Sequence, residues 1–316
     1  MSDWRPTATR ATLQRRAQML GQARSFFAAR QVMEVDTPVV VNAPVTDVHI
    51  HSARVTLSNH QPYFLHTSPE YAMKRLLAAG TGDIYQVCHV VRGFERGRLH
   101  NSEFTLIEWY RTGFSLSRLM EEVAELMREL LGTPAAGERL SYREAFLRHL
   151  ELDPFTASDQ QLSNVARVHG YTPADPPSRD EFLEFLMGTR VGPQLGIHGL
   201  TFVHGYPASQ AALARLDPQD PRAALRFELY VEGVELANGF HELASAAEQR
   251  ARFESDLAAR RRLGSPAPPL DERLLAALEA GLPDCCGVAL GFDRVVMLAT
   301  DAKSIDEVLP FPTERA

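Results

Sequence analysis

Arg92-Gly93-Phe94-Glu95-Arg96-Gly97-Arg98-Leu99-His100-Asn101-Ser102-Glu103-Phe104-Thr105-Leu106-Ile107-Glu108-Trp109-Tyr110 is the stretch from which the rest of the chain can be read. It starts where the apolar run Ile84 to Val91 stops, and an apolar, aromatic run resumes at Phe104. Two extended runs on either side of a basic, glycine-containing loop predict two neighbouring strands. Further along, Phe227, Leu229 and Val231 alternate up to Glu232-Gly233, and Val234 and Leu236 continue beyond. That pattern predicts a hairpin with glycine where a positive φ is wanted. Shorter strands are expected around residues 63 to 66 and near Val288-Ala289-Leu290.

Helices are expected before and after these strands. Leu13, Ala17, Leu20, Phe27 and Ala28 recur at helical spacing over residues 11 to 30. Others are expected from Tyr71 to Ala79, stopped by Gly80, and from Leu116 to Leu131, closed by Gly132 and Pro134. A helix from Ala244 to Leu263, one capped by Asp271 and ended by Gly281 to Pro283, and a closing helix from Asp293 complete the set. Pro38 denies Val35 to Val41 one ladder hydrogen bond, so that run reads as an edge or interface strand. With a long helix behind it, it suggests a dimer seam. Residues 133 to 200, rich in proline and glycine, read as a less regular insertion packed on the core. The sum is an α+β fold, an antiparallel sheet flanked by helices, in one unit over residues 1 to 316. Without a glycine-rich loop after a parallel strand, Walker and Rossmann chemistry are not expected.

The 316 residues carry 40 acidic and 33 basic side chains, a net charge of −7, so no global field draws the chain to nucleic acid. Three cysteines, Cys88, Cys285 and Cys286, form neither a disulfide framework nor a zinc spacing and read as reduced thiols. The start Met1-Ser2-Asp3-Trp4-Arg5-Pro6 lacks a signal peptide's apolar core, and no apolar run approaches the ~20 residues of a membrane span. A cytoplasmic protein with no membrane partner is expected.

Arg92 ends a strand and Arg294 opens a helix, two rigid settings for the planar guanidinium fork that grips phosphoryl oxygens. Isolated surface arginines are the commoner fate of this residue type, so the pair matters more than either member. Glu235 and Glu242 are candidate ligands for a Mg²⁺ that bridges nucleotide phosphates, which takes one or two carboxylates; a solvated strand face is the plain alternative. Glu70, Glu242 and Tyr110 are candidates for an ammonium pocket, since a buried cation needs carboxylate partners. Glu70 would also suit a helix's first turn. His49-Ile50-His51 has a metal-hydrolase look, but His66, His89 and His100 follow in no order that completes such a site.

At these residues the chain resembles the catalytic domain of class II aminoacyl-tRNA synthetases of the lysyl subgroup. The Thr37-Pro38 region, Arg92 through Tyr110, and Gly287-Val288-Ala289-Leu290-Gly291-Phe292-Asp293-Arg294 look like the three motifs of that family in order. Glu235-Leu236-Ala237-Asn238-Gly239-Phe240-His241-Glu242-Leu243 resembles the subgroup's lysine and metal segment. The likeness spans nearly the whole chain, yet leaves no room ahead of it for the ~100-residue anticodon-binding barrel of the subgroup. It is therefore strongest to the stand-alone paralogues that modify elongation factor P with β-lysine, to which Ser68-Pro69-Glu70 and Pro207-Ala208-Ser209-Gln210 are also similar.

The resemblance implies ATP and Mg²⁺ as cofactors, with Ser68, Pro69, Glu70, Tyr110, Asn238, Glu242 and Ala289 at the amino acid. It implies Arg92, Asn101, Glu235, Leu236, Gly291 and Arg294 at ATP, with Arg92 and Arg294 catalytic and Glu235 and Glu242 on the metal. Ala289 stands where the tRNA-charging enzymes have glycine, which favours a β-amino acid. Phe94 departs from the family pattern two residues after the arginine, with Glu95 or backbone groups left to meet adenine. Further implications are a homodimer, β-lysine supplied by a lysine aminomutase, elongation factor P as protein substrate, and no tRNA. A truncated tRNA-charging enzyme and a non-catalytic regulatory subunit are the competing readings. No residue in the sequence stands out as base for the transfer to the partner's lysine amine.

Overall fold

In the computed structural model the described residues are 4–58, 60–132, 137–173 and 177–316. Helix α1 (Arg10–Ala28) starts where the Thr9 hydroxyl accepts from the Thr12 amide at 3.1 Å, and it buries Met19, Ala23, Phe26 and Phe27. Helix α2 (Glu70–Ala78) gives way to Gly80 at φ 87°. Helix α3 (Leu116–Leu131) is capped by Ser115 and ends at Gly132, whose φ of 69° is the left-handed stop predicted for it; Pro134 lies outside the described residues.

The main sheet has eight strands in the order β1-β5-β6-β11-β10-β9-β8-β7. They are β1 (Met33–Glu34), β5 (Ile84–Val91), β6 (Glu103–Thr112), β7 (Gly137–Ser141), β8 (Leu200–Pro207), β9 (Ala223–Val231), β10 (Val234–His241) and β11 (Cys285–Gly291). A separate three-stranded sheet is formed by β2 (Val40–Val41), β3 (Arg54–Thr56) and β4 (Pro62–Leu65). Six central strands are antiparallel, as expected, but each edge carries a parallel one, β1 on β5 and β7 on β8. The sheet is therefore mixed.

Two expectations need correction. Residues 35 to 41 are not one strand. After Val35 donates to the Tyr85 carbonyl and Thr37 to the Gln86 side chain, the chain leaves the main sheet, and Val40–Val41 joins the small one across Pro38. Nor are residues 137 to 200 irregular. They hold β7, α4 (Tyr142–Leu150), α5 (Asp159–Val168) and α6 (Arg179–Leu186) around an apolar cluster of their own that includes Tyr142, Phe146, Leu162, Leu183 and Val203. Each helix opens with a full capping box: Ser141 with Glu144, Ser158 with Gln161, Ser178 with Glu181.

The β9–β10 hairpin turns through Glu232 and Gly233, both at positive φ (51° and 74°), a two-residue turn matched to the twist of its strands. Strands then set the faces. Trp109, Ile107, Val288, Leu290, Phe227 and Leu229 point into a core shared with α1, α3 and α9 (Phe292–Ala299). Their alternates, Tyr110 and Glu108 on β6, Gly287 and Ala289 on β11, Asn238 on β10 and Arg226 and Glu228 on β9, point the other way. Helices α7 (Ala246–Arg262) and α8 (Glu272–Gly281) pack beside α2 around Tyr71, Leu77, Phe253, Leu274 and Leu278.

Candidate active site

The outward faces of β6, β11, β10 and β9 form the floor of a cavity of about 1000 Å³. Register fixes one polar row across it: Glu108 faces Ala289, Ala289 faces Asn238, and Asn238 faces Glu228. At one end the floor is acidic. Glu70 starts α2, Glu108 comes from β6, and Glu242 follows the last residue of β10. The Ser68 hydroxyl donates to Glu108 Oε2 and the Tyr110 phenol to Oε1, both at 2.8 Å, while Ser68 also receives the Glu70 amide at 3.0 Å.

A cation already sits among these acids. Lys74, only 1% exposed, places Nζ 2.7 Å from Glu70 Oε1 and 2.6 Å from Glu242 Oε2. Burial works against its ammonium, but Glu242 and Glu70 outweigh it and raise its pKa. Burial also pushes Glu108 up to about 8, helped by Glu70 and Glu242, and pushes Glu242 up to about 7 against the pull of Lys74. Gly287 makes room for the group. A β-carbon there would lie 2.3 Å from the Tyr110 ring and 2.5 Å from Glu242 Oε1.

The other end is built for anions. Arg92 lies just past β5, 5.1 Å over the Phe104 ring, with Nε donating to the Thr67 carbonyl at 3.3 Å. Arg294, in the first turn of α9, donates Nη1 to the Glu235 carbonyl at 2.7 Å and Nη2 meets His100 Nε2 at 2.7 Å. Burial, Arg294 and Arg92 together hold His100 below its ordinary pKa, and both arginines line the cavity. Asp293 fixes the start of α9 from behind: it accepts from the Thr105 amide at 2.7 Å and from Arg16 of α1. Between the ends, Arg226 joins Asn238 Oδ1, Glu228 and the Gln210 carbonyl.

The structure brings nearly all the expected residues to this cavity. Ser68, Glu70, Tyr110, Asn238, Glu242 and Ala289 line it, and so do Arg92, Asn101, Glu235, Leu236, Gly291 and Arg294. Pro69 does not; it occupies the N-cap position of α2. Asn101 has both ends of its amide committed, donating to the Glu103 carbonyl and accepting from Thr313, so its side chain clamps the loop. Phe94 is turned outward, 91% exposed at φ 64° and edge-on to His51, while Glu95 lines the cavity.

Glu235 and Glu242, the expected metal ligands, both line the cavity. They stand seven positions apart at the two ends of β10, roughly 20 Å by strand rise, and Glu242 is held by Lys74. The carboxylate that bears on Glu235 is Glu228, across the hairpin. Burial and then Glu228 push Glu235 up to about 7, against Arg294, Arg226 and Arg92. Glu228 already receives the Tyr206 and Tyr230 phenols at 2.6 Å, and Glu235 has no hydrogen bond to its carboxylate among the described residues. A divalent cation at Glu235 would relieve that charge, so the donor set fits Mg²⁺. Among the described residues no three His, Cys, Asp or Glu side chains group as a metal site, leaving phosphate oxygens to complete the shell.

Sequence reasoning missed Lys74, Glu108, Arg226 and Glu228. Lys74 follows Glu70 at the i,i+4 spacing of a helical ion pair, and Glu108 shares strand parity with Tyr110, so both carried a signal.

Residues 1–315 match the class II tRNA synthetase (D, K and N) family. Over their whole length the chain is 49% identical to the elongation factor P–(R)-β-lysine ligase of Edwardsiella ictaluri, covering 100% of this chain and 99% of that protein. The ligases of the same name from Proteus mirabilis and Vibrio cholerae are each 48% identical with the same coverage. With motifs, sheet and relatives in agreement, the chain belongs to the class II tRNA synthetase family, in its branch of elongation factor P–(R)-β-lysine ligases.

Proposed function

We propose that the chain uses ATP to activate (R)-β-lysine as an adenylate and transfers it to the ε-amine of a lysine on elongation factor P. The observation that carries this is the division of one cavity into a carboxylate floor suited to ammonium groups and an arginine end suited to phosphates. The name borne by the relatives supplies the acceptor.

In the first step the β-lysine carboxylate, ionised at neutral pH, attacks the α-phosphorus. The acyl oxygen to phosphorus bond forms, the bond to the bridging oxygen breaks, and pyrophosphate leaves. Arg92 and Arg294 spread the charge that builds on the phosphoryl oxygens, the largest expected contribution to the rate. Bound Mg²⁺ would supply further neutralisation of the phosphates, with Glu235 to hold it. Glu70, Glu108, Glu242 and Tyr110 receive the two ammonium groups. The Ala289 methyl, between Glu108 and Asn238, sets the floor height against an amine one carbon further from the carboxylate.

In the second step the neutral acceptor amine attacks the acyl carbon, the amide bond forms and AMP departs, with the proton passing to phosphate or water. The proposal includes a homodimer on the α1 side, a cytoplasmic setting, β-lysine drawn from an aminomutase, and no use of tRNA.

The test is mass spectrometry of elongation factor P incubated with the protein, ATP, Mg²⁺ and β-lysine. Gain of one lysyl mass is expected. No gain, together with charging of tRNA by lysine, would reverse the assignment.

A further inference from the structure

Lys74 is a buried charged side chain, paired with acids that line the cavity, that neither the phosphate chemistry nor the acceptor requires. Its aliphatic stem is buried in α2 and its ammonium touches two acids from different parts of the chain. A buried cation on two carboxylates is ordinarily a means of satisfying buried acids. Here it leaves the count unequal. Fully ionised, Glu70, Glu108 and Glu242 carry three negative charges and Lys74 cancels one; arriving ammonium groups draw off the protons that burial holds on Glu108 and Glu242 in the free pocket.

We propose that Lys74 is a built-in counter-ion that sets the amino-acid pocket at a formal charge of minus two and thereby selects substrates with two ammonium groups. The inference rests on the proposed amino-acid site and deepens it. A diamino acid cancels the remaining charge inside a low-dielectric floor, whereas a monoamine leaves one carboxylate without a partner. Lys74 also bridges the Glu70 and Glu242 carboxylates through its own ammonium, fixing where the substrate amines must lie. The other titratable groups that face the cluster are neutral hydroxyls and thiols: Tyr71 beside Glu70, Tyr110 from β6, and Cys285 from β11. Lys74 acts through the glutamates and is a positioning residue.

Charge counting makes a prediction that a packing role does not. Glu242→Gln leaves the pocket at minus one, Lys74→Met leaves it at minus three, and the double variant returns it to minus two. The experiment measures ATP–pyrophosphate exchange dependent on (R)-β-lysine, and on 3-aminohexanoate, which lacks the distal amine, with the full-length protein. E242Q is expected to raise KM for β-lysine, because Lys74 then repels the arriving ammonium. Adding K74M to E242Q should lower that KM again, by roughly tenfold and with kcat held within about twofold, as contacting charges couple strongly. K74M alone, with one more negative charge facing the substrate amines, should lower KM for β-lysine, and K74R should return it to the wild-type value. The double variant carries the test even if K74M alone does not fold. If K74M fails to lower the KM of E242Q, the Lys74 inference falls and the amino-acid site stands. If E242Q itself leaves KM unchanged, the site falls, and the inference with it.

Discussion

The Nη1 of Arg294 rests 2.7 Å from the backbone carbonyl of Glu235, tying the first turn of α9 to the start of β10. The two residues are 59 positions apart in the chain and come together because β11, which leads into α9, pairs with β10. The bond holds the guanidinium beside the same glutamate, whose carboxylate it bears on electrostatically.

Removing that cation should disable chemistry more than folding. Arg294→Ala is expected to cut adenylate formation by roughly 10²- to 10³-fold, the usual loss for one transition-state donor. Far-ultraviolet circular dichroism should stay unchanged. Pyrophosphate exchange near wild-type rates would take Arg294 out of the site.

Glu235→Gln tests the metal end. The variant should need roughly tenfold more Mg²⁺ for half-maximal exchange, since one of only one or two protein carboxylates is lost. Glu242→Gln, at the far end of β10, should leave the Mg²⁺ requirement where it was. Equal Mg²⁺ curves for E235Q and wild type would take Glu235 off the metal.

Gly287→Ala should fill the space occupied by Tyr110 and Glu242. Overpacking of this kind costs about 1–3 kcal/mol, so the melting temperature should drop by a few degrees while KM for β-lysine rises steeply and KM for ATP holds. A parallel rise in both would argue against the division of the cavity.

Acidity gives a fourth prediction, in which the sign is decisive. Glu108 is pushed up to about 8 and Glu242 to about 7, above an ordinary value of 4.5. Across that window the folded protein keeps protons that the unfolded chain has lost, so stability falls as pH rises from about 5 to about 8. Ligand binding runs the other way, because only the ionised acids attract ammonium groups. Thermal melts should show a declining melting temperature over the window and a β-lysine-induced increase that grows with pH. A flat profile for the free protein, or a ligand shift that shrinks, would refute it.

Local patterns carried much of the fold. The span of α3, the Gly132 stop, the β9–β10 turn and the Asp271 cap each depend on neighbours within a few residues, so spacing and turn chemistry reveal them. The three capping boxes between residues 141 and 181 were equally local, but the proline and glycine around them masked the helices they begin. In the site, arginines in two distinctive settings were legible by residue type. The mutual placement of the acids was not, since seven positions along β10 say nothing of what lies across the hairpin.

By itself, then, the order of residues determined the central strands β5, β6, β9, β10 and β11, most helices outside residues 137 to 200, and which side chains could bear phosphate or ammonium chemistry, because backbone propensity and side-chain type are properties of short segments. Tertiary structure decided the partnerships. Glu242 meets Lys74 and Asn101 meets Thr313, both through contacts between distant segments. Strand register and helix packing place those groups within a few ångströms of one another, and charge interactions in a buried cavity depend on that separation far more than on position in the chain.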